Sequence, residues 1–246
     1  NAASIQNIIT RVTGDRVSTI DGVLAANGSA NLFLLNPNGI VFGENARLDI
    51  GGSFVASTAN SIRFADGGQF TTENQSTPIL SVNVPVGLQV GQNPGTIQVR
   101  GPGHQLSVAV PQSTPIVRPP GETGLQVSAG ETLALIGGDI DLLGGTLTAN
   151  PGNIVLGAME QAMVRMDSSD FTFQFPNRAN QPAASFRDIT LRSQALVDAS
   201  SPPGENGAMP PFEANATHFP STAVPANAAV SSIRIQGRNI RLAEGS

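Results

Sequence analysis

The sequence predicts an all-β protein folded as a parallel β-helix, and three observations carry that prediction. Helical periodicity is nearly absent; three-residue units of the form apolar-x-apolar recur instead, separated by Gly, Asn, Asp and Ser; and consecutive units fall into sets whose steps sum to one constant repeat length. Strands have period two, so a three-strand coil of about 22 residues buries one apolar row per strand and leaves x outside. Stacking such coils pairs each strand with its equivalent about 4.8 Å away, which calls for tight Gly-rich corners and no long helices. A sandwich or barrel would need longer strands, recurring at roughly 8–12 residues and joined by hairpin turns.

The elements follow in order. Ile40-Val41-Phe42, Leu48-Asp49-Ile50, Phe54-Val55-Ala56 and Ile62-Arg63-Phe64 start at steps of 8, 6 and 8 along the chain. Their outer apolar residues are expected in the interior, with Asp49 and Arg63 facing solvent. The rhythm returns in Leu125-Gln126-Val127, Leu133-Ala134-Leu135, Ile140-Asp141-Leu142, Leu147-Thr148-Ala149 and Ile154-Val155-Leu156, at steps of 8, 7, 7 and 7. It appears again in Ile189-Thr190-Leu191 and Leu196-Val197-Asp198, then in Ile233-Arg234-Ile235 and Ile240-Arg241-Leu242, with steps of 7 inside each pair. Met159, Met163 and Met166 have helical spacing and suggest one short helical turn, with packing as their role.

Two segments break the rhythm. Residues 111–120 carry Pro111, Pro115, Pro119 and Pro120 and read as a connector, because proline cannot donate to a ladder. Residues 200–228 hold six prolines and read as an excursion from the helix wall. The expected organisation is a partial β-helix domain at 1–110, the connector, and further coils at 121–246.

Composition narrows the chemistry. The 246 residues carry a net charge of -5, only 13% are charged, and Gly 27 with Pro 18 makes up about 18% of the chain. All cationic residues are Arg; Lys, Cys, Trp and Tyr are absent. That rules out a disulfide, a Cys-ligated zinc, a thiol nucleophile, a Schiff-base lysine and a P-loop lysine. With no basic run, the electrostatic footprint of a nucleic-acid binder is missing. No apolar stretch approaches the ~18–20 residues of a membrane helix.

A parallel β-helix also serves polysaccharide lyases and hydrolases, so an enzyme is weighed. Asp139 and Asp141 flank Ile140 and would project together, joined by Asp49, Asp66 or Asp198 from other coils, as an acid/base pair or a Ca²⁺ site. Simple solvation is the favoured account of these carboxylates. His104 and His218 have no base or nucleophile arrangement beside them, and Gly137-Gly138-Asp139 lacks the third glycine of the calcium nonapeptide. No catalytic residue, metal or cofactor is therefore assigned. Asn27, Asn74 and Asn215 match the Asn-x-Ser/Thr acceptor and carry no weight in an Asn- and Ser-rich chain.

The most specific segment is Asn36-Pro37-Asn38-Gly39-Ile40, between the apolar runs at 31–35 and 40–42. Pro37 fixes φ, Asn38 and Gly39 tolerate positive φ, and the Asn36 side chain can bond to backbone two residues on, so the chain is expected to reverse there. One side-chain hydrogen bond from Asn36 would be worth about 1 kcal/mol.

With Phe42-Gly43, Asp49-Ile50-Gly51-Gly52-Ser53-Phe54 and Ala56-Ser57-Thr58-Ala59-Asn60, this segment resembles the secretion domain of two-partner secretion exoproteins, the filamentous-haemagglutinin-like adhesins and haemolysins of Gram-negative bacteria. Ile8-Ile9-Thr10-Arg11-Val12-Thr13-Gly14, Gly137-Gly138-Asp139-Ile140, Gly144-Gly145-Thr146-Leu147 and Asn153-Ile154-Val155-Leu156-Gly157 resemble its cyanobacterial branch. The resemblance implies a right-handed β-helix, exported through the periplasm by a partner outer-membrane transporter, and a surface filament or adhesin as the product. Surface glycans, or further copies in a filament, are the implied ligands. The alternatives are the polysaccharide-active enzyme and a purely structural sheath element. The family's earlier Asn-Pro turn should lie near residue 1, where only Asn1-Ala2-Ala3 could be its remnant, so the chain reads as part of a longer protein.

Overall fold

A computed structural model describes residues 5–72, 84–106, 124–177, 180–181, 183–200 and 231–243. Among them the regular elements are all β-strands. The 111–120 connector, all of the proline-rich excursion beyond Ser200 as far as 228, and His218 lie outside the described residues.

The described chain makes six circuits. The first has β1 (Asn7–Arg11), β2 (Ser18–Ile20) and β3 (Val23–Ala26); the second has β4 (Asn31–Leu35), β5 (Ile40–Phe42) and β6 (Arg47–Ile50). The third opens with β7 (Phe54–Ser57), departs through β8 (Ser61–Phe64), β9 (Gln69–Thr71) and β10 (Pro85–Val90), then resumes with β11 (Ile97–Arg100) and β12 (Leu125–Val127). The fourth is β13 (Thr132–Gly137), β14 (Ile140–Leu143) and β15 (Thr146–Ala149). The fifth opens with β16 (Asn153–Glu160), departs through β17 (Ala162–Asp167), β18 (Thr172–Gln174) and β19 (Ser185–Phe186), and returns as β20 (Ile189–Arg192) and β21 (Leu196–Asp198). The last has β22 (Ser232–Gln236) and β23 (Ile240–Ala243).

Equivalent strands of successive circuits pair in parallel. One face is β1-β4-β7-β13-β16-β22, the next is β2-β5-β11-β14-β20-β23, and the third is split into β3-β6 and β12-β15-β21. This all-β arrangement of parallel sheets is consistent with a β-helix. The expected repeat is visible in the register: Ser18 pairs with Ile40, Leu32 with Phe54 and Leu125 with Leu147, the same step along the chain in each case. A core enclosed by the three faces runs from Leu32, Ile40 and Phe54 through Leu133, Ile140 and Leu147 to Ile189 and Ala199.

A second core lies outside the first face. Detours in the third and fifth circuits leave from the same corner and pair with each other, giving an antiparallel sheet in the order β18-β17-β10-β8-β9. Its inner residues Ile62, Leu88, Val164 and Phe173 cluster with Phe33, Leu35, Val55, Ala134, Ile136 and Val155, which point outward from the first face. The first face is thus buried on both sides. This is why β4, β7, β13 and β16 are nearly continuously apolar, whereas on the other two faces most x positions are polar, as at Asp49, Gln98, Gln126, Asp141 and Thr148.

Four expectations are corrected. Ile62 and Phe64 are buried, but β8 belongs to the antiparallel sheet, and Ile97 takes the place next to Ile40 in the parallel stack. Arg63 is exposed as expected, and so is Asp49, while Leu48 is half-buried against the first core. Met159 lies in β16, and Met163 and Met166 lie in β17, so no helical turn forms; Met159 and Met166 do pack, in the second core. In β21 the inward residue is Val197, opposite Leu147, so the register there is shifted by one from Leu196 and Asp198.

The two kinds of x position should respond differently to charge. Val155→Arg, beneath the antiparallel sheet, is expected to lower stability by about 3–5 kcal/mol, because an unpaired guanidinium would be buried. Gln126→Arg, at an exposed x position, should stay within about 0.5 kcal/mol of the parent. Urea denaturation followed by far-UV circular dichroism checks both; equal losses would contradict the two-sided burial of the first face.

Candidate functional site

The segment Asn36–Ile40 forms the corner between the first and second faces in the second circuit. It is a corner rather than a reversal, since β4 and β5 lie in different sheets. The Gly39 N–H donates to the Asn36 carbonyl at 3.1 Å, which closes a four-residue turn with Pro37 and Asn38 at its centre. Only Gly39 adopts positive φ, at +123°; Asn38 does not. Asn at the first position, Pro at the second and Gly at the last suit a type I turn, which asks no positive φ of Asn38.

Asn36 is fully buried and holds the corner from inside. Its Nδ2 donates to the Arg16 carbonyl and to Ser18 Oγ, both at 2.8 Å, while its Oδ1 accepts from the Asn38 N–H at 3.0 Å and Asn38 Nδ2 at 3.2 Å. Asn38 Nδ2 also reaches the Gly14 carbonyl at 2.8 Å. The side chains thus tie the second circuit to the first. Four bonds in a buried setting make an expectation of about 1 kcal/mol for Asn36 too small. Ile40 is fully buried in the first core, so the surface of the turn is Asn38 and part of Pro37.

Backbone bonds fasten the corner on both sides. The Ser18 N–H donates to the Gly39 carbonyl, the Ile40 N–H to the Thr96 carbonyl, and the Gly95 N–H to the Pro37 carbonyl at 2.8 Å. Arg16, Ser18, Gly95 and Thr96 were not singled out from the sequence. A signal was available, because Asn93-Pro94-Gly95-Thr96-Ile97 repeats the Asn-Pro and Gly pattern just before the next strand of the same face. A β-carbon on Gly39 would stand 3.0 Å from the Thr96 carbonyl oxygen.

A model of the TPS secretion domain, the two-partner secretion module, matches residues 1–209, most of the chain. The chain belongs to the TPS secretion domain family. It is accordingly a two-partner secretion exoprotein: the family implies a secreted product and interaction with a transporter partner. No curated protein and no solved structure matches the chain.

Among the described residues, the secretion domain does not gather its acidic side chains into one site. Asp139 accepts from Arg187 Nη2 at 3.1 Å and from the Asp188 N–H at 2.9 Å; Asp141 accepts from Arg192 Nη2 at 2.7 Å and from Gln98 Nε2 at 3.1 Å. Glu160 is the second partner of Arg187. Asp49 stands on another face; Asp66 accepts from the Gly68 N–H, and Asp198 from the Ser200 N–H. His104 Nδ1 accepts from the Leu106 N–H. Among the described residues no group of His, Asp and Glu is arranged to hold a metal. The paired carboxylates instead clamp successive circuits, since Asp139, Asp188 and Asn239 each immediately precede a strand of the second face.

The clamp sets a pH dependence. Burial pulls the Asp139 carboxyl upward, but the Arg187 guanidinium and the Asp188 N–H outweigh it and hold it low. Asp188 is held further down, to about 2, chiefly by Arg238 and also by Asn239. A depressed carboxyl stabilises the fold above its unfolded value, near 3.9, and that contribution is lost as pH falls toward the folded value. The urea midpoint of Asp188→Asn should therefore lie below the parent's at pH 7, and the two should converge as pH falls from about 5 to about 2. A pH-independent gap would contradict the clamp.

Proposed function

We propose that this chain is the transporter-addressed part of a right-handed β-helical adhesin or surface-filament protein, carried across the outer membrane by its two-partner transporter and non-enzymatic in itself. The family match over residues 1–209 carries the reading. The hand is assigned because crossovers between parallel strands of one sheet are nearly always right-handed. Parallel edges that accept one circuit after another suit a filament, and arginine-paired carboxylates suit cohesion between circuits better than acid/base chemistry. The turn Asn36–Ile40 serves export through the fold, since little of its surface is open to a partner.

The test is export of an epitope-tagged chain, with its natural upstream sequence, in Gram-negative cells carrying or lacking the cognate transporter. Surface or medium recovery that requires the transporter is the expected result. Equal recovery without it would overturn the reading, and turnover of uronate or neutral polysaccharides by the purified chain would overturn its non-enzymatic part.

A further inference from the structure

The outer face of the antiparallel sheet carries a row that the export reading does not use. In register across the strands stand Gln69, Arg63, Gly87, Arg165 and Gln174, contributed by β9, β8, β10, β17 and β18. The two arginines are exposed and sit two strand spacings apart, roughly 10 Å. Between them Gly87 adds no side chain, and Met163 Sδ lies 3.1 Å from where its β-carbon would stand. The row therefore has a cation, a glycine covered by the Met163 thioether and a second cation, with an amide at each end.

Most other arginines of the described chain are occupied. Arg187, Arg192 and Arg238 hold carboxylates, Arg47 holds backbone carbonyls, and Arg11 and Arg234 lie over the rings of Phe70 and Phe175. Arg63 and Arg165 have neither an ion pair nor a side-chain hydrogen bond among the described residues. Asp167, two residues beyond Arg165 on the same face, has its Oδ1 taken by the Ser169 N–H and hydroxyl. Beside Arg165 the surface sinks into a cavity of about 340 Å³ whose lining includes Gln174, Phe175, Asn180 and Gln181. That is space for a sugar ring, with the Gln174 amide for hydroxyl groups and one cation at the rim; the Gln181 amide is tied at both ends to the Met163 backbone, Asn180 Oδ1 accepts from the Asn177 N–H, and Phe175 lies under Arg234.

We infer that this face binds an acidic polysaccharide, with one anionic sugar in the cavity against Arg165 and a second anionic group against Arg63 across Gly87 and the Met163 thioether. Carboxylate and sulfate share the required chemistry, a planar or tetrahedral anion that accepts from a guanidinium fork. A nucleic acid is disfavoured, since the chain is net negative and the described face offers two cations, with Phe175 half-buried under Arg234 and not open to stack a base. The inference is independent of export, because it concerns the exposed face of the extra sheet and not the corner at Asn36.

The purified chain is titrated calorimetrically at low salt with polygalacturonate oligomers, dextran sulfate, neutral dextran and single-stranded DNA. Saturable binding of polygalacturonate, dextran sulfate or both is expected, and which of them binds identifies the anion. Arg63→Gln and Arg165→Gln should each weaken it roughly tenfold, as loss of one charge-assisted bond does, and the double variant should bind like neutral dextran. Arg16→Gln, an exposed arginine in the first circuit, should bind like the parent. Circular dichroism melting should not separate these variants, since neither Arg63 nor Arg165 holds a side-chain partner among the described residues. Unchanged binding by the double variant, an equal loss in Arg16→Gln, or equal affinity for neutral dextran or DNA would each overturn the inference, as would absence of binding to both anionic glycans.

Discussion

Phe54→Asp is expected to leave no cooperative unfolding transition at room temperature, while Arg63→Asp melts like the parent. Phe54 is fully buried in the enclosed core, with its ring centroid 6.1 Å from that of Phe42 in an edge-on arrangement at 78°. Its register neighbours are Leu32 on one side and Leu133 on the other. Removing the ring costs about 3–5 kcal/mol, and placing an unpaired carboxylate among these side chains costs several more. Together they match the ~5–15 kcal/mol that holds a domain of this kind. Arg63 holds no side-chain partner among the described residues and lies on the exposed face of β8, so its replacement should change stability by about 0.5 kcal/mol or less. With no Trp or Tyr in the chain, far-UV circular dichroism is the suitable probe. Equal losses from the two substitutions would contradict the burial pattern.

Substitutions in the corner should reduce export in proportion to the stability they remove. Asn36→Ala deletes two donated and two accepted bonds and leaves the Asn38 N–H without its acceptor, an expected cost of about 2–3 kcal/mol. Gly39→Val forces a β-branched residue to φ +123° against the Thr96 carbonyl, at about 1–3 kcal/mol for the backbone alone. Both should lower transporter-dependent secretion together with the melting temperature. Asn38→Ala is the informative contrast: it removes bonds from the most exposed residue of the turn and should cost about 1 kcal/mol or less. If Asn38→Ala abolished secretion while melting like the parent, the corner would be a transporter contact, and its role through the fold would be wrong.

How far the sequence carries this protein is visible at particular residues. The alternation in Ile40-Val41-Phe42, Leu125-Gln126-Val127 and Ile140-Asp141-Leu142 was enough to mark their outer residues as buried, because period-two burial is a local property of a strand. The constant repeat length likewise pointed to Leu125 and Leu147 as partners, since short corners leave the chain one way to return. The corner at Asn36 was legible as a turn because Pro37 fixes φ and Gly39 takes a positive φ without strain, both local properties of the backbone.

Ile62-Arg63-Phe64 has the same local pattern and stands one repeat length beyond Ile40, yet it belongs to a different sheet. Pattern alone gives the face a side chain turns inward, not which surface it turns toward. Only the pairing of β10 with β17, between two detours in circuits that are not adjacent, creates the second core and hides Val55, Ala134 and Val155. The same holds for Asp139 and Asp141. Their alternation allowed a shared carboxylate pair and favoured simple solvation, but what each touches is Arg187 and Arg192, brought alongside when the fifth circuit stacks on the fourth. Composition and periodicity are written residue by residue and survive in the sequence; contacts between detours, and between charges on neighbouring circuits, exist only once the circuits are stacked, and there the tertiary structure decided.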